Sequence, residues 1–262
     1  MRFTSETTSA GVSERAFGLG DIPGVLWTPA EAPDTCPLVL LGHGGGMHAR
    51  TPGLAARARR FATAHGFAVA AVDAPGHGER PRTRRDEEFA AGVRRRLATG
   101  RPLGSELAEY SGGLAARAVP EWRAVLDALR DSEHVGAAGP VGYWGLSMGS
   151  AIGIPLVAAE PRIGAAVFGL AGHTSLMEAA MRITVPIGFL VQWDDELIPR
   201  DRALALFDAF GAKDKTLHAN TGGHTDVPAF EVEDSGRFLA RHLGGAPADL
   251  GPGSAPGRRP GV

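Results

Sequence analysis

The pattern glycine–x–serine–x–glycine is the feature of this sequence most able to carry chemistry. It reads GLSMG at 145–149 and stands between an apolar run, Val141 to Leu146, and a helical stretch, Ser147 to Ala159. At a strand-to-helix turn, glycines permit a sharp backbone that exposes the serine hydroxyl above the sheet edge. The next N–H and the helix N-terminus then face a developing oxyanion. Ser147 is therefore a candidate nucleophile, with an ordinary helix N-cap as the alternative.

Residues that could activate this serine follow it in the chain. A serine hydroxyl is a poor nucleophile unless a base and an orienting acid assist it. The apolar run 187–192 ends in WDDELIP, which places carboxylates at the end of a predicted strand. A short predicted strand over 215–219 leads into TGGHTD, so His224 lies in a loop before the last helix. Upstream, the run 37–41 leads into HGGG, whose backbone N–H groups can also face an oxyanion.

Four motifs in this order resemble the α/β-hydrolases, and most of all the lidless serine esterases related to the dienelactone hydrolases. They are HGGG at 43–46, DAPGHG at 73–78, GLSMG at 145–149 and the pair Asp195/His224. Dienelactone hydrolases use a cysteine nucleophile, so with Ser147 in that place the dienelactone substrate is not carried over.

The resemblance assigns the catalytic roles. It implies Ser147 as the nucleophile, His224 as the general base and Asp195 as the acid that orients it. The family's acid commonly lies four residues before a proline, which favours Asp195 over the alternative Asp194. Glu196 is expected to face solvent.

The resemblance also implies where the substrate binds. The oxyanion donors would be the N–H groups of Met148 and Gly45, with Gly44 less favoured, while His43 is interpreted as a structural residue of that loop. Apart from the resemblance, position at strand ends and in neighbouring loops gives the further residues expected to contact substrate, which are Gly44, Met47, His173, Met177 and Trp193. Met177 could equally belong to the core.

Short apolar runs that alternate with helical stretches predict an α/β fold, with a mostly parallel, doubly wound sheet covered on both faces. The segment Phe17 to Trp27 predicts antiparallel edge strands. One α/β-hydrolase domain is expected over 1–243, followed by a disordered tail over 244–262. An insertion at 81–113, with a helix over Asp86–Ala98 and then a Gly/Ser-containing loop, is expected to shape the site. No large lid is expected.

Composition narrows the function classes. The 262 residues carry Lys+Arg 27 against Asp+Glu 29, a formal charge of −2, which gives no basic field for nucleic acid. The single cysteine, Cys36, cannot form an internal disulfide or a thiolate metal cage. No apolar run has the length of a signal peptide or a membrane span. We expect a cytoplasmic protein without metal, cofactor or membrane contact, and the sequence leaves a homodimer open.

The motifs together predict a serine hydrolase that cleaves carboxylic esters of small to medium acyl groups through an acyl-enzyme. A lactonase or a thioesterase with the same triad is an alternative. A non-catalytic ligand-binding relative of this fold is a second alternative. Such proteins can lose a triad member, and the presence of all three candidates here disfavours it. A peptidase is disfavoured because the chain has no room for the extra domain that peptidases of this fold often carry.

Overall fold

The computed structural model describes residues 1–31, 36–99, 105–136 and 138–244, apart from the side chains of residues 97, 105 and 106. Of the tail expected over 244–262, only Gly244 falls within this range, where it ends the last helix. Nine strands form one sheet within these residues, in the order β1-β2-β3-β5-β4-β6-β7-β8-β9. They are β1 (Arg2–Ser9), β2 (Val12–Leu19), β3 (Ile22–Pro29), β4 (Leu38–Gly42), β5 (Ala68–Val72), β6 (Val141–Gly145), β7 (Ile163–Gly169), β8 (Ile187–Gln192) and β9 (Lys215–Asn220).

Helices cover both faces of this sheet. They are α1 (Pro52–His65), α2 (Arg84–Ala98), α3 (Ser105–Arg130), α4 (Met148–Ala159), α5 (Met177–Arg182), α6 (Arg200–Ala209) and α7 (Phe230–Leu243). Side chains of α1 and α7 pack in one buried apolar cluster, and those of α3 to α6 pack in another on the opposite face. The strands β5, β4, β6, β7, β8 and β9 are parallel, and β1 to β3 form the antiparallel edge. The predicted fold class is confirmed.

Strand β1 was missed by sequence reasoning. Its residues, RFTSETTS, are almost all exposed on both faces, so they lack the apolar alternation that predicts a strand. The strand forms because its backbone pairs with β2 along nearly its whole length. The expected edge strands within Phe17–Trp27 are present as the longer pair β2 and β3.

The prediction of a loop at the end of the 81–113 insertion is wrong for the described residues from 105 onward. Helix α3 begins at Ser105 and runs without a break through Gly112 and Gly113. Both glycines are exposed, and a Cβ atom added to either would meet nothing within 4 Å. Tyr110 and Leu114, on either side of the pair, are buried in the same apolar cluster. This packing offsets the low helix propensity of two glycines.

Asp86 ties α2 to α3. Its carboxylate accepts hydrogen bonds from the backbone N–H and hydroxyl of Thr83, the Tyr110 hydroxyl (2.9 Å) and the Arg117 guanidinium (3.2 Å). Its own N–H donates to the Thr83 hydroxyl, so the two residues form a capping box that starts α2 at Arg84, two residues earlier than predicted. Burial raises the pKa of this carboxyl, but the four hydrogen bonds outweigh it and hold the pKa at about 2.

No helix among the described residues is long and apolar enough to cross a membrane.

We predict that Asp86→Asn destabilises the fold in a pH-dependent way. The folded-state pKa of about 2 lies below the ordinary 3.8, so the carboxylate stabilises the protein above about pH 4. The variant should lose about 2 kcal/mol of unfolding free energy at pH 7. This difference from wild type should shrink as the pH falls towards 2, because wild-type Asp86 then becomes protonated. Urea unfolding from pH 7 to pH 3 checks this, and a difference that stays constant with pH would contradict it.

Candidate active site

Ser147 occupies a strained turn between β6 and α4. Its backbone angles are φ 57° and ψ −117°, a region that side-chain-bearing residues rarely adopt. The glycines of the motif allow the turn to close. A Cβ atom at Gly145 would lie 2.9 Å from the carbonyl carbon of Gly149, and one at Gly149 would lie 2.9 Å from the oxygen of Gly42. The chain therefore needs glycine at both positions.

Hydrogen bonds beneath the turn hold it in this shape. The N–H of Ser147 donates to the carbonyl of Gly169 at the end of β7 (2.9 Å). The fully buried Ser150 hydroxyl lies 2.7 Å from the carbonyls of both Gly145 and Gly169, and it accepts the N–H of Gly169 (2.9 Å). The Tyr143 hydroxyl donates to the carbonyl of Gly149 (2.7 Å).

The structure brings Ser147, His224 and Asp195 into one hydrogen-bonded chain. The Ser147 Oγ lies 2.9 Å from the His224 Nε2, and the His224 Nδ1 lies 2.8 Å from the Asp195 Oδ2. Because a carboxylate can only accept, the Nδ1 carries the proton and the Nε2 is free to accept the serine proton. The other Asp195 oxygen accepts the N–H groups of Leu197 and Ile198, both at 2.8 Å. The His224 ring is largely buried.

The neighbouring carboxylates are placed differently. Asp194 is exposed, and its carboxylate accepts the N–H of Gly222 (3.2 Å). Glu196 is exposed as expected, yet its carboxylate also accepts the backbone N–H of His224 (2.9 Å). Asp195 is therefore the carboxylate in contact with the histidine ring. Glu196 fixes the loop that carries His224.

The glycine loop after β4 faces the start of α4. Met148 is the first residue of α4, and the N–H groups in the first turn of a helix have no acceptor inside the helix. Gly45 lies beside it, since a Cβ atom there would be 4.0 Å from the Met148 Cβ. The Gly44 carbonyl accepts the N–H of Met47 (3.2 Å), which bends the loop at this point.

His43 and Asp73 hold this loop from below. The His43 Nε2 accepts the N–H of Ala74 (3.0 Å), so its Nδ1 carries the proton and donates to the Gly44 carbonyl (2.9 Å). Burial lowers the pKa of His43 to about 4, which keeps the ring neutral at physiological pH. Asp73 accepts the N–H groups of Ala49 and Glu79 (2.8 and 2.9 Å). These contacts support the structural interpretation of His43.

A cavity of about 370 Å³ opens beside the serine. Its wall is mainly apolar, and the insertion supplies Phe89 and Val93 from α2 and Leu107 and Tyr110 from α3. The rings of Phe89 and Tyr110 stack at 3.8 Å. Sequence reasoning located the insertion but not these residues. The signal that could have found them is the apolar side of α2 in a segment otherwise rich in charge.

The expected substrate contacts fall into two groups. Of the residues expected at the site, three line the cavity, namely Gly45, Met148 and His173. Four do not line it, namely Gly44, Met47, Met177 and Trp193. Met47 and Trp193 are exposed, with the Arg200 guanidinium 4.1 Å above the indole ring. Met177 is half-buried and packs on the core. A strand end alone did not show which way these side chains face.

One group of possible metal ligands lies elsewhere, on β9 and α7. One ligand atom each of His218, Glu231 and Asp234 lie within 4.8 Å of one another. Their spacing in the sequence gave no sign of this. The buried Glu231 already accepts hydrogen bonds from His218 and from Asn220, both at 2.8 Å, which accounts for the arrangement without an ion.

Comparison with known proteins gives one informative result. No family model and no curated protein matches the chain. Among solved structures, a cold-adapted esterase from an Arctic intertidal metagenomic library, in complex with PEG, is 33% identical. The match covers 93% of this chain and 100% of that one, with a TM-score of 0.76.

Two more distant structures share the fold. An acetyl xylan esterase from Paenibacillus sp. R4 is 16% identical over 92% of this chain and 88% of its own, with a TM-score of 0.70. Est1E from Butyrivibrio proteoclasticus, bound to ferulic acid, is 15% identical over 92% and 100%, with a TM-score of 0.64.

The sheet, the turn at Ser147 and these likenesses define the class, a carboxylic ester hydrolase with the α/β-hydrolase fold. The chain belongs to the same family as the Arctic esterase. A closer relation to the dienelactone-hydrolase branch stays a prediction.

We predict that Ser150→Ala lowers both stability and turnover. The change leaves the buried N–H of Gly169 without its acceptor, which should cost about 1–3 kcal/mol of unfolding free energy. The turn at Ser147 should loosen, so kcat should fall more than KM rises. Thermal unfolding and kinetics on p-nitrophenyl acetate test this, with Ser9→Ala on exposed β1 as the matched control. Equal effects of the two changes would contradict a role of Ser150 in holding the turn.

Proposed function

We propose that this protein hydrolyses carboxylic esters of small to medium acyl groups through an acyl-enzyme formed on Ser147. The observation that carries this proposal is the continuous hydrogen-bonded chain from Ser147 through His224 to Asp195. Each member contacts the neighbour that its proposed role needs. A binding protein without catalysis would have no need for this alignment, which argues against the ligand-binding alternative.

Acylation uses all three residues. His224 takes the hydroxyl proton at its Nε2 as the Ser147 Oγ attacks the ester carbonyl carbon. The negative charge on the former carbonyl oxygen is stabilised by the N–H groups of Met148 and Gly45. Asp195 stabilises the imidazolium and keeps the Nδ1 proton in place. The bond to the alcohol oxygen then breaks, and His224 passes the proton to that oxygen.

Deacylation repeats these steps with water. His224 takes a proton from the water, whose oxygen attacks the acyl carbon, and returns it to the Ser147 Oγ as the bond to the acyl group breaks. The enzyme is regenerated and a carboxylic acid is released. Lactones and thioesters have the same reactive carbonyl, so they are alternatives with the same residues in the same roles.

The size of the cavity supports the proposed preference for small to medium acyl groups. A volume of about 370 Å³ lies near the lower end of the usual range for ligand pockets. Its apolar wall suits alkyl or aryl groups, and the wall residues from α2 and α3 limit their length. In this proposal 1–243 acts as one hydrolase domain whose insertion at 81–113 forms part of the site. The cytoplasmic location and the homodimer stay predictions.

We predict that Ser147→Ala abolishes turnover of p-nitrophenyl esters from acetate to decanoate, because no other group would form the acyl-enzyme. Asp195→Asn should lower kcat by about 10³- to 10⁴-fold, because an amide favours the wrong histidine tautomer. Asp194→Asn is the matched control, since its carboxylate does not touch His224. Its kcat should stay within about threefold of wild type, as for a change outside the reacting groups.

Two results would contradict the mechanism. Turnover that survives Ser147→Ala would place the nucleophile elsewhere. A larger loss in Asp194→Asn than in Asp195→Asn would assign the orienting role to the other carboxylate. Mass spectrometry of the wild type with an organophosphate should locate the label on the peptide that contains Ser147.

We predict that Val93→Trp shortens the accepted acyl chain. Val93 lines the cavity from α2, and a larger side chain fills space that longer acyl groups need. Hydrolysis of p-nitrophenyl octanoate should fall at least about tenfold relative to acetate, which is the scale of one or two displaced methylenes. The control is Ala116→Ser on the exposed side of α3. An unchanged chain-length profile would show that the acyl group binds elsewhere.

A further inference from the structure

His173 is a histidine of the cavity wall that has no role in the proposed mechanism. His173 lines the cavity and is 8% exposed. Its Nδ1 is buried and has no hydrogen-bond partner within the described part of the chain. Because the Nδ1 is enclosed, the Nε2 is the ring nitrogen that can meet a ligand in the cavity.

The loop that carries His173 is firmly built. Leu170 has φ 54°, and its N–H donates to the carbonyl of Leu190 (3.1 Å). Gly172 packs so tightly on α6 that a Cβ atom there would lie 2.8 Å from the backbone nitrogen of Ala203. The His173 carbonyl accepts the N–H of Leu176 (3.1 Å). The backbone around the imidazole is therefore fixed, and a fixed loop presents its side chain at a defined point of the cavity.

The surroundings determine which nitrogen carries the proton. Burial lowers the pKa of His173 to about 4, so the neutral ring has one N–H and one lone pair. A proton on the enclosed Nδ1 would find no acceptor, whereas a proton on the Nε2 can be donated into the cavity, which favours the tautomer with a bare Nδ1. The proton then lies on the Nε2, on the opposite edge of the ring.

Several other residues of the cavity wall are apolar or already hydrogen-bonded. Leu170, Leu197 and Ile198, which also line it, are apolar. The Asp86 carboxylate in the wall already accepts hydrogen bonds from three residues. The wall also holds polar side chains, among them His77, Arg82 and Glu196, which contact the carbonyls of Pro75 and Gly76 and the N–H of His224. His173 differs from these three in that no hydrogen bond ties its ring to the described part of the chain.

We propose that His173 determines substrate specificity, its Nε2–H donating a hydrogen bond to a substrate oxygen outside the reacting ester group. That oxygen is an ether, hydroxyl or carbonyl oxygen in the acyl or the alcohol part. The proposal rests on the esterase function proposed above and names a class of substrate within it, esters that carry a second oxygen.

The test compares esters in which an ether oxygen replaces one methylene. On the acyl side, p-nitrophenyl 3-methoxypropanoate is compared with the pentanoate, and 4-methoxybutanoate with the hexanoate. On the alcohol side, 2-methoxyethyl acetate is compared with butyl acetate. Each ratio of kcat/KM is divided by the same ratio for hydrolysis by hydroxide, which removes the difference in intrinsic reactivity.

Wild type should favour the oxygen-containing member of at least one pair by about 3- to 10-fold, the scale of one net hydrogen bond. The pair that shows it identifies the acyl or the alcohol side. His173→Gln should keep the preference, because its amide NH₂ group can reach the position of the Nε2. His173→Leu and His173→Asn should lose it, since leucine has no donor and the amide of asparagine is too short. His134→Leu, at a half-buried histidine that packs on Phe3, is the control and should leave the ratio as in wild type.

Several outcomes would overturn the proposal. They are the absence of any preference in wild type, a preference that persists in His173→Leu, and a loss in His173→Gln equal to that in His173→Leu. Failure of the esterase function itself is seen separately, as turnover of p-nitrophenyl acetate that is absent in wild type or survives Ser147→Ala. Thermal unfolding of each variant shows whether a lost preference reflects a lost fold.

Discussion

The site depends on the strained backbone of Ser147 and on the hydrogen bonds that hold it. A side-chain-bearing residue in this conformation costs about 1–3 kcal/mol and persists only where its surroundings enforce it. Here the enforcement comes from one neighbouring strand end. The carbonyl of Gly169 accepts the N–H of Ser147, and Ser150 joins Gly169 to Gly145. Ser147 is therefore positioned by β7 as much as by its own motif.

The same arrangement recurs on the other side of the serine. The loop after β4 has few side chains near Ser147 with which to pack, because it contains three successive glycines at 44–46. A neutral His43 and the Asp73 carboxylate fix it to the end of β5 through hydrogen bonds to the backbone. Donors that are fixed before the reaction need not reorganise as charge develops, which is why preorganised N–H groups stabilise an oxyanion well. A loop free to move would lose this advantage.

Local chemistry explains what could be predicted from the sequence. Buried parallel strands are recognised in the sequence as continuous apolar runs. Ser147, Asp195 and His224 follow the ends of such runs, and the carboxyl ends of parallel strands meet at one edge of the sheet. The topology therefore predicts that these residues meet. The same reasoning missed β1, because polar residues exposed on both faces leave no pattern. It also ended the insertion in a loop, because two exposed glycines conceal the buried positions Tyr110 and Leu114.

The residues that line the cavity were less predictable for a different reason. A residue next to a strand end is near the site, but its side-chain direction depends on packing from distant elements. Trp193 directly follows β8 and yet lies exposed beneath Arg200, while Phe89, far from any strand end, reaches the cavity from α2. Such contacts depend on how α2 and α3 sit on the sheet, which no local pattern encodes.

This division corresponds to different parts of the fold. Ser147, Asp195 and His224 lie on the sheet edge and on loops fixed to it, whereas much of the cavity wall lies on α2 and α3. Asp86 joins these helices through its contacts with Thr83, Tyr110 and Arg117. Because its pKa is about 2, the carboxylate keeps these contacts at any pH near neutrality. Asp86 thus holds α2 against α3, and the part of the wall that these helices supply lies outside the turn and loops that carry Ser147, Asp195 and His224.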